Sequence, residues 1–282
     1  MDADQLRLPV IREPLGISGN MQKELTVWVS DLLARGNDVK VASEEVKERF
    51  DREDPAAYGL QIPKWFPDYD YVHDLICDIL QPYLSCDALV LDLGGGTGRV
   101  AKLLLDAFPS CRILLQDISA NMLSEVPKKL NEHAGRFECV EGDFFAETFD
   151  LEPNRFDCVV SVHAIHHGRH QEAYRNLYHK IYKWLKPAGC FACLDNIAGD
   201  TPELATLNYA SWADALRSQY DAERIRWIVE TTIREDSPLS LREHLEILSD
   251  CGFSRTDVVW KKHIFGLYVG VKSPQQPAQP YK

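Results

Sequence analysis

Leu91-Asp92-Leu93-Gly94-Gly95-Gly96-Thr97-Gly98 is the stretch on which the reading of this chain of 282 residues turns. It closes the apolar run ALVLDL over 88–93 and precedes RVAKLLLDAF over 99–108, which has helical character, so the glycines fall where a strand hands over to a helix. Glycines at such a junction let the chain turn sharply. They also remove the Cβ atoms that would hold a ligand off the backbone, and they leave the free amides of a helix N-terminus aimed at it. In an open α/β sheet, ligands lie beyond the carboxyl ends of the strands where the strand order reverses, and this loop belongs there. Taken alone the stretch could be only a glycine-rich turn, so its spacing must decide. Gly94, Gly96 and Gly98 give GxGxG, whereas the dinucleotide pattern GxGxxG needs glycine where Arg99 stands if begun at Gly94, or where Ala101 stands if begun at Gly96. That spacing argues against a nicotinamide or flavin site.

Outward from the loop, short apolar runs alternate with longer helical patterns, the signature of a parallel sheet covered by helices. Strands are expected over 88–93, 112–117 (RILLQD), 136–141 (RFECVE), 156–162 (FDCVVSV) and 189–196 (GCFACLDN). Helices are expected over 99–108 and 121–130, and over 171–185, where Ala173, Leu177, Ile181 and Trp184 share a face. Lys186-Pro187-Ala188-Gly189 should break that last helix and feed the next strand. Further on, Leu241, Leu245 and Leu248 mark a helix closed by Gly252, and strands over 257–264 and 266–272 are close enough to require an antiparallel hairpin. The tail over 273–282, SPQQPAQPYK, has no apolar periodicity and reads as disordered. Residues 1–71, with helical patterns and the cluster Trp65, Phe66, Tyr69 and Tyr71, and an insertion over about 198–240, with Tyr209, Trp212, Tyr220 and Trp227, stand outside the alternation. The insertion is too long and too apolar for a bare loop. No internal repeat is found.

A hydrophobic fraction of 45% and a charged fraction of 26% are those of an ordinary globular protein, and no apolar run reaches the roughly 20 residues needed to span a bilayer. The start MDADQLRLPVIREPLG lacks the basic and apolar blocks of a secretory signal, so a reducing, cytoplasmic location is expected. The eight cysteines are scattered without a framework spacing and read as small core residues. Cys190 and Cys193 form a CxxC inside a strand, with no second pair, so no metal is expected there. The net charge of −12, without a dense Lys/Arg stripe, disfavours nucleic acid, which must be neutralised by basic side chains.

These motifs in this order resemble the class I S-adenosylmethionine-dependent methyltransferases, and the resemblance covers about 72–272. It implies a Rossmann-like seven-stranded mixed sheet with helices on both faces, a final antiparallel hairpin, a helical N-terminal segment and a helical insertion after the fifth strand. It further implies that Asp92, Gly94, Gly96 and Gly98 cradle the methionine part of S-adenosylmethionine. Asp117, followed by Ile118, Ser119 and Met122 in Asp-x-Ser-x-x-Met-Leu, matches the acid that bonds both ribose hydroxyls. A carboxylate can accept two hydroxyls at once, although Asp117 could also cap a helix, a role open to Ser119 too. Gly142-Asp143 matches the pair whose carboxylate meets the adenine amino group, with Phe144 near the ring; Asp143 could equally be a solvated loop acid.

The substrate side is thinner. Ser161-Val162-His163-Ala164-Ile165-His166-His167-Gly168-Arg169-His170 follows the fourth strand, so Ser161 is expected at the cofactor and His163 or His166 beside the methyl group, as a base or in substrate positioning. His166 and His170 have helical ligand spacing, but no acid motif accompanies them and Gly168 interrupts a helix, so no metal is expected. Tyr58, Trp65 and Tyr69 are candidates to stabilise the sulfonium charge. The expected reaction is methyl transfer to an oxygen, nitrogen or carbon of a small-molecule acceptor beneath the N-terminal segment and the insertion. A catalytically silent S-adenosylmethionine sensor or accessory subunit carries the same cofactor motifs and is the alternative.

Overall fold

The computed structural model describes residues 19–35 and 43–274. The disorder expected of the tail falls outside them over 275–282, as do residues 1–18 and 36–42 of the N-terminal segment expected to be helical. Its strands are β1 (Leu89–Leu93), β2 (Arg112–Asp117), β3 (Phe137–Glu141), β4 (Phe156–Val162), β5 (Leu185–Asn196), β6 (Phe253–Lys262) and β7 (Phe265–Lys272). Its helices are α1 (Gly19–Ala34), α2 (Ser43–Arg52), α3 (Pro55–Trp65), α4 (Tyr69–Leu80), α5 (Arg99–Ala107), α6 (Ala120–Leu123), α7 (Val126–Lys129), α8 (Gln171–Trp184), α9 (Pro202–Ala215), α10 (Ala222–Glu235) and α11 (Leu241–Asp250). The strands form one seven-stranded sheet in the order β3-β2-β1-β4-β5-β7-β6, with β7 antiparallel to both neighbours and every other pairing parallel. This is the Rossmann-like mixed sheet with the final hairpin.

Alternation along the strands sends side chains into two cores. Val90, Cys190, Ala192 and Leu194 meet Val72, Ile76 and Leu80 of α4 and Leu104 and Leu105 of α5 on one face. Leu91, Leu93, Phe191 and Cys193 meet Tyr178, Ile181 and Trp184 of α8 and Ile247 of α11 on the other. The chain leaves β1 for β2 and β3 on one side and returns to β4 on the other. The crevice above β1 and β4 is therefore where the strand order reverses.

Several boundaries differ from the sequence reading, each for a local reason. The single helix expected over 121–130 is the pair α6 and α7, because Pro127 has no amide for the carbonyl of Leu123 and the helix restarts. Strand β5 already begins at Leu185, opposite Phe156, and Lys186 to Gly189 form an irregularity within it, with Ala188 at φ 63. Strand β6 begins at Phe253, since its alternating exposure lets it run along the edge from the end of α11. Helix α4 runs through the expected domain boundary at 71/72, because Tyr69, Val72, His73, Ile76 and Leu80 make one buried stripe. The eight cysteines are free, but Cys86 and Cys139 are exposed rather than in the core. Among the described residues no helix is long and apolar enough to cross a membrane.

Candidate cofactor and acceptor site

The glycine loop turns from β1 into α5 through left-handed residues, with φ of 71° at Gly94, 54° at Gly96 and 79° at Gly98. Only glycine adopts these without strain. At Gly94 a Cβ would also stand 2.3 Å from the Cβ of Ala164, so the loop packs directly on the segment after β4. At Gly96 a Cβ would meet nothing nearer than Asp117 Oδ2 at 4.0 Å, which leaves that backbone open to a cavity. Gln116 ties the neighbouring turns together: Gly94 N donates to its Oε1 at 3.2 Å, and its Nε2 donates to the carbonyl of Gly142 at 2.5 Å.

Beside the loop lies a cavity of about 390 Å³, within the range of small-molecule sites. Asp92, Gly94, Gly96, Asp117, Ile118, Met122, Asp143, Phe144 and His163 all line it, as do Tyr58 and Tyr69. Asp117 accepts Ser119 N through Oδ1 at 2.9 Å and Gly96 N through Oδ2 at 2.8 Å. One lone pair on each oxygen stays available for a hydroxyl. The helix cap is Ser119, whose Oγ accepts Met122 N, so Asp117 is not spent on capping. Burial pushes the Asp117 carboxyl up, against the backbone amides that favour its anion. Asp92 is buried, neither of its oxygens finds a well-formed hydrogen bond, and burial pushes its carboxyl up to about 7. Asp143 accepts Phe145 N at 2.8 Å, and Lys180 holds the following turn by donating to the carbonyls of Phe144, Ala146 and Phe149.

Two expected residues do not reach the cavity wall. Ser161 is fully buried and its hydroxyl donates to the carbonyl of Leu93 at 2.8 Å, joining β4 to β1 beneath the loop. Gly98 is the left-handed residue before α5 and packs on Leu115 and Val126. Residues the sequence did not single out take part instead. Lys129 lines the cavity and donates to Thr97 Oγ1 at 2.6 Å, and His73 lines it from α4. Helix α2 roofs it: Lys47 donates to the carbonyl of Ile118 and to Glu141, and Ser119 Oγ donates to Asp51 at 2.7 Å.

A second chamber of about 80 Å³ adjoins the first and shares Phe50, Tyr58, Ile62, His163 and His167 with it. His163 sits at the junction in a left-handed conformation, φ 55, held by its amide donating to Leu194 O at 2.9 Å. Burial pushes its imidazole down to about 3, so it is neutral at physiological pH. His166, which lines the second chamber only, stands between two carboxylates. Its Nδ1 is bonded to Asp195 Oδ1, and its Nε2 lies 3.6 Å from Asp236 Oδ1. Burial would lower this imidazole, but Asp236 and Asp195 outweigh it and raise it to about 9. His166 is therefore an imidazolium at neutral pH and has no lone pair to act as a base. This separates two histidines that the sequence treated alike.

His166, His167 and Asp236 each offer an atom within 4.8 Å of the others, as do His163, His166 and Asp195. Both sets depend on His166, whose ring must lose a strongly held proton before it could ligate a metal. The two covers also clasp each other across the chambers. Arg49 of α2 pairs with Glu235 of α10, and Trp212 Nε1 of α9 donates to the carbonyl of Trp65 at 2.8 Å.

Residues 90–189 match the family model described as a methyltransferase domain. The carboxy-S-adenosyl-L-methionine synthase of Nautilia profundicola is 22% identical over 81% of this chain and 96% of its own length. The sterol 24-C-methyltransferase of Kluyveromyces lactis is 31% identical over 49% of this chain, a match that spans only 38% of that protein. In fold, the chain is similar to the YcgJ protein of Bacillus subtilis, with a TM-score of 0.54, 15% identity, and coverage of 73% of this chain and 100% of the other. The sheet order, the glycine loop and the family match agree: residues 90–189 carry a methyltransferase domain, and the chain resembles the class I S-adenosylmethionine-dependent methyltransferases.

Proposed function

We propose that this chain transfers the methyl group of S-adenosylmethionine to a small-molecule acceptor held under α2, α3, α9 and α10. The observation that carries the reading is one cavity lined by Gly94, Gly96, Asp117, Asp143 and Phe144 that opens at His163 onto a second chamber. The residues present fit the cofactor. Asp117 has a lone pair on each oxygen for a pair of ribose hydroxyls, and the open backbone at Gly96 admits close approach. The buried Asp92 carboxyl, which has no well-formed hydrogen bond, favours a cationic ligand beside the loop. Asp143 and Phe144 line the same cavity and offer an adenine a carboxylate and an aromatic face.

When bound, S-adenosylmethionine supplies an electrophilic methyl group carried on a sulfonium. The protein's share of the work is positioning. Methyl transfer needs an acceptor atom about 3 to 3.5 Å from the carbon, and the chamber walls would hold it there while the clasped covers exclude water. Neutral His163, at the junction of the chambers, is the group placed to take or share a proton from the acceptor.

Calorimetric titration with S-adenosylmethionine and with NADH, followed by transfer of labelled methyl to a metabolite panel, tests the reading. Binding of the first nucleotide alone, with label appearing in a small molecule, is expected. Binding without transfer to any acceptor would leave a sensor, and preference for NADH would overturn the cofactor assignment.

A further inference from the structure

Four residues of the second chamber's wall carry a side-chain polar atom that is buried without a hydrogen-bond partner: Trp65 Nε1, His163 Nε2, His167 Nδ1 and Asn196 Oδ1. Buried polar atoms are almost always paired, and four exceptions around one small space call for an occupant that pairs them. The rest of the wall is aromatic. Phe50, Tyr58, Phe66, Trp212 and Phe265 contribute, with the His163 ring edge-on to Phe66 at 4.9 Å and to Phe265 at 5.5 Å. Flat walls of this kind match a flat ligand.

Charge narrows the class. Among the described residues the only lysine or arginine lining the chamber is Arg49, already paired with Glu235, and the His166 imidazolium is shared between Asp195 and Asp236. An anionic acceptor would lose its hydration and gain no free cation, a cost that a neutral molecule avoids. The unpartnered set also mixes functions. The Trp65 indole N–H can only donate, Asn196 Oδ1 only accepts, and a neutral imidazole nitrogen does one or the other according to tautomer. A hydroxyl serves either tautomer, since it both donates and accepts.

We propose that the second chamber is the acceptor subsite, that it takes a flat, uncharged, ring-hydroxylated molecule of the phenol class, and that the reacting hydroxyl bonds to His163 Nε2. The inference rests on the methyl-transfer reading and names its acceptor chemistry. The new bond joins the hydroxyl oxygen to the methyl carbon as the carbon–sulfur bond breaks and its electron pair stays on sulfur. The hydroxyl proton passes to His163 Nε2 and from there to solvent. The chamber's volume of about 80 Å³ suits a single ring, with further substituents reaching into the shared vestibule.

The test uses the full chain saturated with S-adenosylhomocysteine, titrated with resorcinol, benzoate and benzylammonium as single-ring probes of each charge. Resorcinol is expected to bind at least tenfold more tightly than benzoate, with its ultraviolet band shifted to the red by a hydroxyl donated to imidazole. In His163→Asn, whose residue tolerates the left-handed backbone, resorcinol affinity should fall about tenfold and the red shift vanish in protein that still binds S-adenosylhomocysteine. Trp65→Phe keeps the ring, removes the indole donor and should weaken resorcinol several-fold, providing a second reading should the first variant melt early. Benzoate binding as tightly as resorcinol, or a red shift that survives in His163→Asn, overturns the proposal. So does the absence of resorcinol binding at millimolar concentration in protein that binds S-adenosylhomocysteine. Protein that fails to bind S-adenosylhomocysteine overturns the methyl-transfer reading itself and takes this proposal with it.

Discussion

Asp236→Asn isolates the charge cluster beneath the acceptor chamber. The imidazole of His166 lies against Asp195 on Nδ1 and 3.6 Å from Asp236 on Nε2, and its ring is only 8% exposed, so solvent screens these contacts little. Raised from an ordinary 6.5 to about 9, the folded-state proton is held more tightly than in the unfolded chain. At about 1.4 kcal/mol per pH unit this linkage is worth about 3 kcal/mol. Because the folded value is the higher one, that stabilisation is whole below pH 6.5 and is lost as pH rises toward 9. Asp195, held down to about 2 by the His166 charge against the opposing effect of burial, is the acid-side counterpart of the same interaction, lost only as pH falls below the usual carboxylate range.

Asp236 supplies the largest single charge contribution to His166, and Asp195 adds both a charge and a hydrogen bond, so the variant should lose roughly half of the linkage, about 1.5 kcal/mol. Thermal melts of both proteins from pH 6 to 9.5 provide the assay. For a domain of this size about 1.5 kcal/mol corresponds to roughly 3 to 6 °C. His163 and His167, which burial holds neutral, destabilise the fold on acidification, and Arg49 faces the same cluster, so the difference between the two proteins is the quantity to read. The variant should melt several degrees below the parent at pH 6.5, with the gap closing by pH 9.5. A gap that is constant across this range, or absent at pH 6.5, refutes the assignment of an imidazolium to His166.

Asp117→Ala should weaken S-adenosylmethionine binding by about 1.5 to 3 kcal/mol, the range for hydrogen bonds to a charged group, and calorimetry on folded variant protein with unchanged affinity would remove Asp117 from the ribose site. Gly96→Val places a branched side chain at φ 54 in the open space beside Asp117, so the melting shift produced by saturating S-adenosylmethionine should disappear; a shift equal to the parent's would show that the loop does not face the ligand. Treatment with EDTA followed by desalting should leave methyl transfer unchanged, because both candidate ligand sets depend on a protonated His166; activity lost to chelation and restored by zinc or magnesium would refute that reasoning.

The parts of the site that were legible in the sequence are local ones. A strand, a turn with glycines at fixed spacing and a helix start form within about twenty residues, so Gly94 and Gly96 could be placed from pattern, while Asp92 and Asp117 were placed by the family resemblance. Ser161 was misplaced for a reason of the same scale. Alternation along a strand says which face a side chain takes, but not whether its hydroxyl is spent on a neighbouring strand, here on Leu93 O. The break between α6 and α7 is legible in the sequence, since Pro127 lacks the amide that a continuous helix would need.

The covers were legible as covers and illegible as a clasp. Arg49 and Glu235 are 186 residues apart, Trp65 and Trp212 are 147 apart, and no periodicity links positions whose only relation is that two helices cross above one sheet edge. The difference between His163 and His166 was hidden for the same cause. Three residues separate them in sequence, yet one projects between Phe66 and Phe265, which empties it of charge, and the other between Asp195 and Asp236, which fills it. Asp236 ends α10 in the insertion and Asp195 lies near the end of β5, so the charge on His166 is set by the insertion together with the strand that precedes it. A residue's protonation in such a site is a property of the long-range fold. The insertion therefore does two things at once, closing the acceptor chamber through Trp212 and fixing the charge of the histidine beneath it through Asp236. Loosening it should disturb both together.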